Sequence, residues 1–213
     1  MFIADRDLLV IEPAVFRDAG WLAQRLASGP ASVSSSVLTC SAGNFVNVNV
    51  TTGHVVMVDA TPLEVMSRLS ATTLAVSLLR AGAAESAIPV KNVAAGNAAV
   101  WTLRPQIAAA HGQIVRMLGL DVAAALAAPG QVVDDSRITN PEGLQRLEAL
   151  MTLHAVYSAL AALRGRDDPF ANRAEAYRDA VRAERQRAVA LIDTDFDGVP
   201  NVARRVNTFV MSR

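Results

Sequence analysis

The chain has 213 residues, of which 52% are apolar, so one domain, or one domain with an insertion, can bury a substantial core. Twenty basic and twenty acidic residues give a formal net charge of zero. This balance excludes a global electrostatic field that would attract nucleic acid or a strongly charged partner. The single cysteine, Cys40, excludes an internal disulfide and a cysteine-based zinc site.

The beginning of the chain lacks the basic and apolar regions of a signal peptide. No uncharged apolar run reaches the length of about 18 residues that a membrane-spanning helix requires. We therefore expect a protein that folds in a cytoplasm and has no membrane partner.

The first predicted helix begins at Pro13, because proline suits the first turn of a helix. Apolar residues then recur at spacings of three and four, and Ser28–Pro30 ends the pattern. The residues that form this stripe are Val15, Phe16, Ala19, Leu22, Ala23 and Leu26.

Residues 31–80 show the alternating pattern of short strands separated by turn residues. The segments 54–59, 63–69 and 73–78 are the three clearest strands. The alternation places two sets of apolar residues on common faces, namely Leu63, Val65 and Leu69, and Leu74, Val76 and Leu78. Residues 81–100 have little periodicity and are predicted to be a connecting arm.

The second half is predicted to be helical. A helix begins at Pro105 and ends near Gly119, which is a plausible C-cap. Asn140 followed by Pro141, and Asp168 followed by Pro169, are two further start signals. The last helix has a mixed-charge outer face, which is typical of a solvated or partner-facing surface.

These segments together predict an α+β protein. Residues 1–30 and 101–198 form a helical bundle, and residues 31–80 form a small antiparallel β-domain inserted into it. Residues 81–100 connect the two, and residues 199–213 form an extended C-terminal arm. No cofactor is implied.

The three histidines, His54, His111 and His154, lie far apart in the sequence. His111 and His154 fall on apolar stripes of different helices, and we interpret them as a hydrogen-bonded core pair. A metal-binding pair would require carboxylates on the same stripes, and we identify none there. Motifs of zinc proteases, serine hydrolases, P-loop proteins and dinucleotide-binding proteins are absent from the sequence.

Asp193, Asp195 and Asp197 are followed by Gly198 in the spacing of an EF-hand calcium loop. The position that should supply the bidentate acid is occupied by Arg204, and Arg205 follows it. We interpret the loop as a helix C-terminal turn whose carboxylates pair with these arginines or with arginines of a neighbouring subunit. The alternatives are a Ca²⁺ site and a metal-dependent hydrolase that uses the three aspartates.

The residues after the acidic loop alternate in polarity and are predicted to extend from the molecule and pair with another chain. A final strand or helix packed on the same subunit is the alternative. The predicted interface with a portal or with a neighbouring subunit consists of Arg204, Arg205, Val206, Phe209, Val210 and Met211.

Several of these segments resemble the head-to-tail connector proteins of tailed bacteriophages. The β segment looks like their β modules, and the helical second half is similar to their adaptor or head-completion subunits. The segments that carry the resemblance are Ala42–Phe45, Val50–Val56, Pro62–Val65, Ala71–Ser77, Ala176–Arg178 and Leu191–Gly198, with the basic tail that follows.

The resemblance implies a non-enzymatic virion protein that is assembled in the host cytoplasm. Such adaptors are small helical bundles that form rings, usually of twelve copies, beneath the portal, and their C-terminal arms commonly reach it. The implied partners are the portal, a tail or tail-completion protein, and further copies of the chain, while DNA passes through the channel without sequence-specific binding. The alternative is a bacterial module that binds a ligand or polysaccharide through its β-domain.

Overall fold

The structure is a computed structural model that describes residues 1–126, 132–164 and 168–206. The chain divides into two compact units, which we name the barrel unit (residues 4–105) and the helical unit (residues 1–3 and 106–213). The prediction of a helical bundle with a small inserted β-domain is wrong, because the strands close into a six-stranded barrel that forms about half of the chain.

The barrel unit opens with two short helices and continues with the six barrel strands. Each strand is antiparallel to its neighbours, and β1 pairs with β6 to close the barrel in the order β1-β2-β5-β4-β3-β6. The elements are α1 (Asp5–Ile11), α2 (Val15–Ala19), β1 (Gln24–Ser34), β2 (Val37–Cys40), β3 (Val55–Val58), β4 (Thr61–Arg68), β5 (Thr73–Ser77) and β6 (Val93–Thr102).

The three strands predicted most clearly from the sequence are confirmed as β3, β4 and β5. Leu63 and Val65 lie in the apolar interior as predicted, together with Leu74 and Val76. Leu69 is 55% exposed, because the register shifts after Val65 and breaks the alternation within β4.

The helix predicted from residue 13 is shorter than expected. α2 ends at Ala19, and the following residues enter β1, which begins at Gln24. β1 pairs with β6 from Gln24 opposite Thr102 to Val33 opposite Val93. The long ladder of backbone hydrogen bonds outweighs a local helical pattern, because intrinsic propensities are weak compared with tertiary contacts.

Part of the predicted connecting arm is a barrel strand. Residues 93–102 form β6, whose Ala98 and Val100 point into the apolar interior. The chain turns between β1 and β2 at Ser35 and Ser36, which have φ values of 49° and 63°. Two successive residues with positive φ give the tight turn that matches the twist of paired strands.

The helical unit contains the three long helices that the start signals predicted. Gly119 follows the first of them with a φ of 68°, and the Asp168 side chain accepts a hydrogen bond from the Phe170 amide at the start of the third. None of the described helices is long and apolar enough to cross a membrane. The elements are α3 (Arg104–Met117), α4 (Leu120–Leu126), a 3₁₀ helix (Asp135–Arg137), α5 (Glu142–Arg164), α6 (Pro169–Arg187), β7 (Val189–Ile192) and β8 (Val202–Arg205).

Residues that were predicted to begin the C-terminal arm pair within the helical unit. β8 is antiparallel to β7, with Val202 opposite Ile192 and Arg205 opposite Val189. Val206 is buried in the same apolar core as Ile192. Residues 207–213 lie outside the described part of the chain.

Candidate functional site

The acidic loop connects β7 to β8, and not a helix to an extended tail as predicted. The carboxylates of Asp193, Asp195 and Asp197 converge, with one oxygen of each within 4.8 Å of the others. Among the described residues, this is the only group of three or more such side chains that is close enough to hold a metal ion. The loop is therefore not a helix C-terminal turn, because α6 ends at Arg187 before β7 begins.

The Asp193 carboxylate folds the loop around itself. Its Oδ1 accepts a hydrogen bond from the Phe196 amide at 2.7 Å, and its Oδ2 accepts one from the Gly198 amide at 2.9 Å. Phe196 and Gly198 both have positive φ, a conformation that glycine adopts freely and phenylalanine rarely. Both oxygens of the buried Asp193 side chain are thus already engaged by the loop's own backbone.

Arg137 supplies the cation beside the loop. Its guanidinium lies 4.0 Å from the centroid of the Phe196 ring, within cation–π distance. Burial alone would raise the pKa of Asp193, but the Gly198 and Phe196 amides, Asp195 and the Arg137 charge outweigh it, so the pKa is lowered. Within the part of the chain that the structure describes, neither Arg204 nor Arg205 pairs with the loop carboxylates as predicted, and the Arg204 guanidinium instead donates to the Leu118 carbonyl oxygen at 2.6 Å.

The remaining residues of the predicted portal interface differ in their exposure to solvent. Arg205 is exposed at the end of β8, whereas Val206 is buried and Arg204 is half-buried. Phe209, Val210 and Met211 lie outside the described residues. An interface role for these residues stays a prediction, and of the described members only Arg205 presents its side chain fully to solvent.

Calcium is expected to bind this loop weakly. Asp193 has both oxygens engaged by amides, and the position of the bidentate acid is Arg204, so too few free oxygens remain for a calcium ion. Calorimetric titration of Ca²⁺ into the protein should give a dissociation constant no tighter than about 1 mM. Micromolar binding that disappears in Asp195→Ala would contradict this expectation.

Asp193→Asn is expected to change how the free energy of unfolding depends on pH at acid pH. Because the folded-state pKa of Asp193 is lowered, its contribution is present above the ordinary value of 3.8 and is lost as the pH falls through the folded-state pKa. Urea unfolding from about pH 5 to about pH 2 should therefore show a shallower decline in Asp193→Asn than in the wild type. Asp179→Asn, at an exposed position on α6, is the control. Identical profiles for Asp193→Asn and the wild type would exclude this role.

A second polar cluster lies around Glu148, a buried residue of α5. Its Oε2 accepts hydrogen bonds from the amides of Phe2 and Ile3, at 2.8 and 2.9 Å. Its Oε1 lies 2.7 Å from Nδ1 of His111, and Nε2 of the same ring lies 2.8 Å from Oδ2 of Asp135. The cluster joins the N-terminal segment, α3, the 3₁₀ helix and α5 within the helical unit.

The predicted histidine core pair is not formed. His111 is engaged by two carboxylates, whereas Nδ1 of His154 lies 3.1 Å from the Ala174 carbonyl oxygen and 3.2 Å from the Ser158 hydroxyl. A carboxylate nevertheless accompanies one of the two histidines, because Glu148 of α5 faces His111. His54 lies in the barrel unit, where its Nδ1 is 2.9 Å from the Thr51 carbonyl oxygen.

Replacing Glu148 with alanine is expected to destabilise the helical unit by about 2–4 kcal/mol. The substitution leaves the buried amides of Phe2 and Ile3 without an acceptor, and each such group costs about 1–3 kcal/mol. Glu148→Gln keeps an acceptor oxygen and the side-chain volume, so its cost should stay below about 1 kcal/mol. Denaturant unfolding measures both values, and equal losses would show that these hydrogen bonds do not stabilise the unit.

Burial raises the pKa of Glu148, although the Phe2 amide and His111 oppose the shift. A carboxyl with a raised folded-state pKa contributes stability that is present below its ordinary value, here 4.5, and is lost as the pH rises through the folded-state pKa. Urea unfolding followed from about pH 4 upwards should therefore show a smaller loss of stability with rising pH in Glu148→Gln than in the wild type.

The barrel unit contains a third buried cluster. Glu64 on β4 lies between two guanidiniums: Nε of Arg6 donates to its Oε2 at 2.5 Å, and Nε of Arg80 donates to its Oε1. Arg6 also donates to the Arg80 carbonyl oxygen at 2.6 Å and pairs with Asp7 at 2.9 Å. All three members of the triad are almost fully buried, and they fasten α1 and the segment after β5 to the barrel wall.

An open groove of about 530 Å³ lies on the outer wall of the barrel unit. Met57 and Trp101 line it, and both alternate with strand residues that point into the barrel. Asp59 and Asn97 add polar groups, and Oδ1 of Asp59 accepts a hydrogen bond from the Asn97 amide at 3.0 Å. The guanidinium of Arg25 lies 5.7 Å from the centroid of the Trp101 ring.

Sequence reasoning missed the two buried glutamates. Glu148 follows Leu144 and precedes Thr152 at four-residue spacing, so a charged residue on a buried helical stripe was the available signal. Glu64 alternates with the apolar residues of β4, but its partners lie 58 and 16 residues away, and no local spacing indicates them.

Comparison with protein-family models, with curated proteins and with solved structures finds no match for this chain. The resemblance to head-to-tail connectors therefore stays a prediction.

Proposed function

We propose that this chain is a non-enzymatic structural subunit of the head-to-tail connector of a tailed bacteriophage. Copies of the chain form a ring beneath the portal, extend the DNA channel and offer a docking surface to the tail. DNA passes through without sequence-specific contact, which agrees with the zero formal net charge. The protein is assembled in the host cytoplasm and remains in the virion.

The observation that carries the non-enzymatic part of this proposal is the use of the buried carboxylates. In each of Glu64, Glu148 and Asp193, both oxygens are occupied by partners of the same unit. A carboxylate that acts as an acid, base or nucleophile must direct an oxygen towards the reacting group. Glu64 and Glu148 instead hold separate segments together, and Asp193 holds the fold of its own loop, which are the roles expected in a rigid building block.

The surface of α6 suits contacts between subunits. It carries five arginines and three acidic residues, and Ala174 is its only buried residue. Arg178 pairs with Glu175 at 3.7 Å, and Arg182 pairs with Asp179 at 3.3 Å. Exposed pairs of this kind contribute about 0–1 kcal/mol each, so they are readily exchanged for equivalent pairs with a neighbouring copy.

Native mass spectrometry of the chain mixed with a portal protein identified in the same genome tests the proposal. We expect a complex that contains the portal and several copies of the chain. The double variant Arg178→Glu with Arg182→Glu should lose self-association, because it reverses two charges of α6. Recovery of only the free chain and the free portal under all solution conditions would contradict the proposal.

Removal of residues 207–213 tests the contribution of the arm separately. Truncation after Val206 leaves β8 and the buried Val206 in place, so the helical unit should fold as in the full chain. We expect this truncation to abolish portal binding. Full portal binding by the folded, truncated protein would exclude an arm contact while leaving the ring proposal standing.

The groove on the barrel supports the second candidate, a ligand- or polysaccharide-binding module. An aromatic ring beside carboxylate and amide groups matches the apolar and hydroxylated faces of a sugar, and the groove volume falls within the range of known ligand sites. Tryptophan fluorescence during titration with soluble oligosaccharides tests it, with Trp101→Ala as the variant that should lose any response. A response that survives in Trp101→Ala would exclude this groove.

A further inference from the structure

The imidazole of His111 has a carboxylate oxygen at hydrogen-bond distance from each ring nitrogen. Oε1 of Glu148 lies 2.7 Å from Nδ1, and Oδ2 of Asp135 lies 2.8 Å from Nε2. A neutral imidazole has one N–H donor and one acceptor nitrogen, so it cannot donate to both oxygens. The observed geometry therefore requires one more proton than two carboxylates and a neutral imidazole contain.

We propose that His111 forms a proton-dependent link. While both ring nitrogens are protonated, its hydrogen bonds hold the 3₁₀ helix Asp135–Arg137 against α5. Loss of one proton releases Asp135, and with it the 3₁₀ helix. This inference does not depend on the proposed function, because it concerns contacts within the helical unit alone.

The burial of the two carboxylates determines which contact is lost. The Glu148 side chain is 0% exposed and cannot be hydrated in place, whereas that of Asp135 is 41% exposed. After deprotonation, the remaining N–H stays with Glu148, since a buried carboxylate without a donor is costly. Asp135 then faces a ring lone pair and turns towards water.

One other charged group faces the ring, the N-terminal ammonium, which can donate to Nε2 or to Asp135 but cannot fill the 2.8 Å contact between them. The Met1 amine lies 3.4 Å from Nε2 and 3.9 Å from Oδ2 of Asp135, at the exposed edge of the cluster. The Phe2 ring packs edge-on against the imidazole at 4.7 Å between centroids and carries no charge. Burial raises the pKa of Glu148, so this neighbour also favours retention of a proton in the folded cluster at low pH and its loss as the pH rises.

The 3₁₀ helix connects the histidine cluster to the acidic loop. Arg137 at its end lies over Phe196, and the Asp193 amide donates to the Arg137 carbonyl oxygen at 3.0 Å. Ile138 forms an isolated bridge with Ile192 on β7. Release of Asp135 should therefore loosen the contacts between this short segment and the acidic loop.

Nuclear magnetic resonance of the full chain tests the proposed His111 link between about pH 6 and about pH 9. This range includes the ordinary titration of imidazole. At the lower pH, both His111 ring nitrogens should carry protons, and the Nε2 proton should be lost as the pH rises. The amides of Ile138 and Thr139 should then exchange with solvent about tenfold faster after correction for intrinsic rates, a factor that corresponds to ~1.4 kcal/mol.

Two variants and one control complete the experiment. Asp135→Asn, at a half-exposed position, and His111→Gln should both lose the pH-dependent change in exchange. His154→Gln, which alters a histidine of the same unit outside the cluster, should keep it. A single protonated ring nitrogen at both pH values, unchanged wild-type exchange, or a pH response that persists in Asp135→Asn would overturn the proposal.

Discussion

Replacing Glu64 with alanine is expected to lower the free energy of unfolding of the barrel unit by about 3–5 kcal/mol. The substitution leaves the guanidiniums of Arg6 and Arg80 buried without their shared counter-ion. Two like charges then face each other in a site that water cannot reach, and neither arginine can lose its proton at neutral pH. Urea unfolding followed by a signal from the barrel unit measures the loss.

An exposed ion pair of the same unit provides the control for this loss of stability. Arg17 pairs with Asp18 at 3.2 Å, but its side chain is largely exposed, so Arg17→Ala should cost no more than about 1 kcal/mol. Replacing the whole triad with Met, Leu and Met at positions 6, 64 and 80 should recover much of the stability, because no charge is then left buried. A loss below about 1 kcal/mol in Glu64→Ala would contradict the buried ion triad.

Val65→Asp is expected to unfold the barrel unit while most of the helical signal is retained. Val65 is 1% exposed and packs inside the barrel, where an unpaired carboxylate costs several kcal/mol. The helical unit has a separate apolar core, which includes Ile114, Leu144 and Ile192. Circular dichroism should therefore lose its strand contribution and keep the signal of α3, α5 and α6.

Leu69→Asp is the control for this substitution, because the sequence pattern assigned Leu69 to the same face as Val65. The bulge in β4 exposes Leu69, so an aspartate there should change the stability by no more than about 0.5 kcal/mol. Equal damage by the two substitutions would contradict the register of β4. Loss of all helical signal in Val65→Asp would show that the two units unfold as one.

The sequence predicted the elements whose signals are local. β3, β4 and β5 alternate apolar residues between turn residues, and α3, α5 and α6 begin at proline or aspartate signals and carry apolar stripes. β1 and β6 were missed because alanine, glycine, serine and asparagine dominate them, and these residues have weak strand propensity. Their identity as strands comes from pairing with each other, a contact between residues about 70 positions apart.

The same limit explains the outcome for the candidate sites. Asp193, Asp195 and Asp197 lie in one short loop, so their spacing already places their carboxylates near one another. The cation beside this loop is Arg137 and not Arg204. The bridge between Ile138 and Ile192 brings the 3₁₀ helix that ends at Arg137 beside the loop. Spacing within one segment contains no information about such a neighbour.

Electron microscopy of the purified chain mixed with a portal protein identified in the same genome tests the proposed connector role most directly. The account predicts a closed ring of copies of the chain, stacked coaxially on the portal, with density for both the barrel unit and the helical unit in every subunit. The double variant Arg178→Glu with Arg182→Glu should leave the portal without the added ring. Portal particles without added density, beside a chain that stays monomeric, would contradict the connector role.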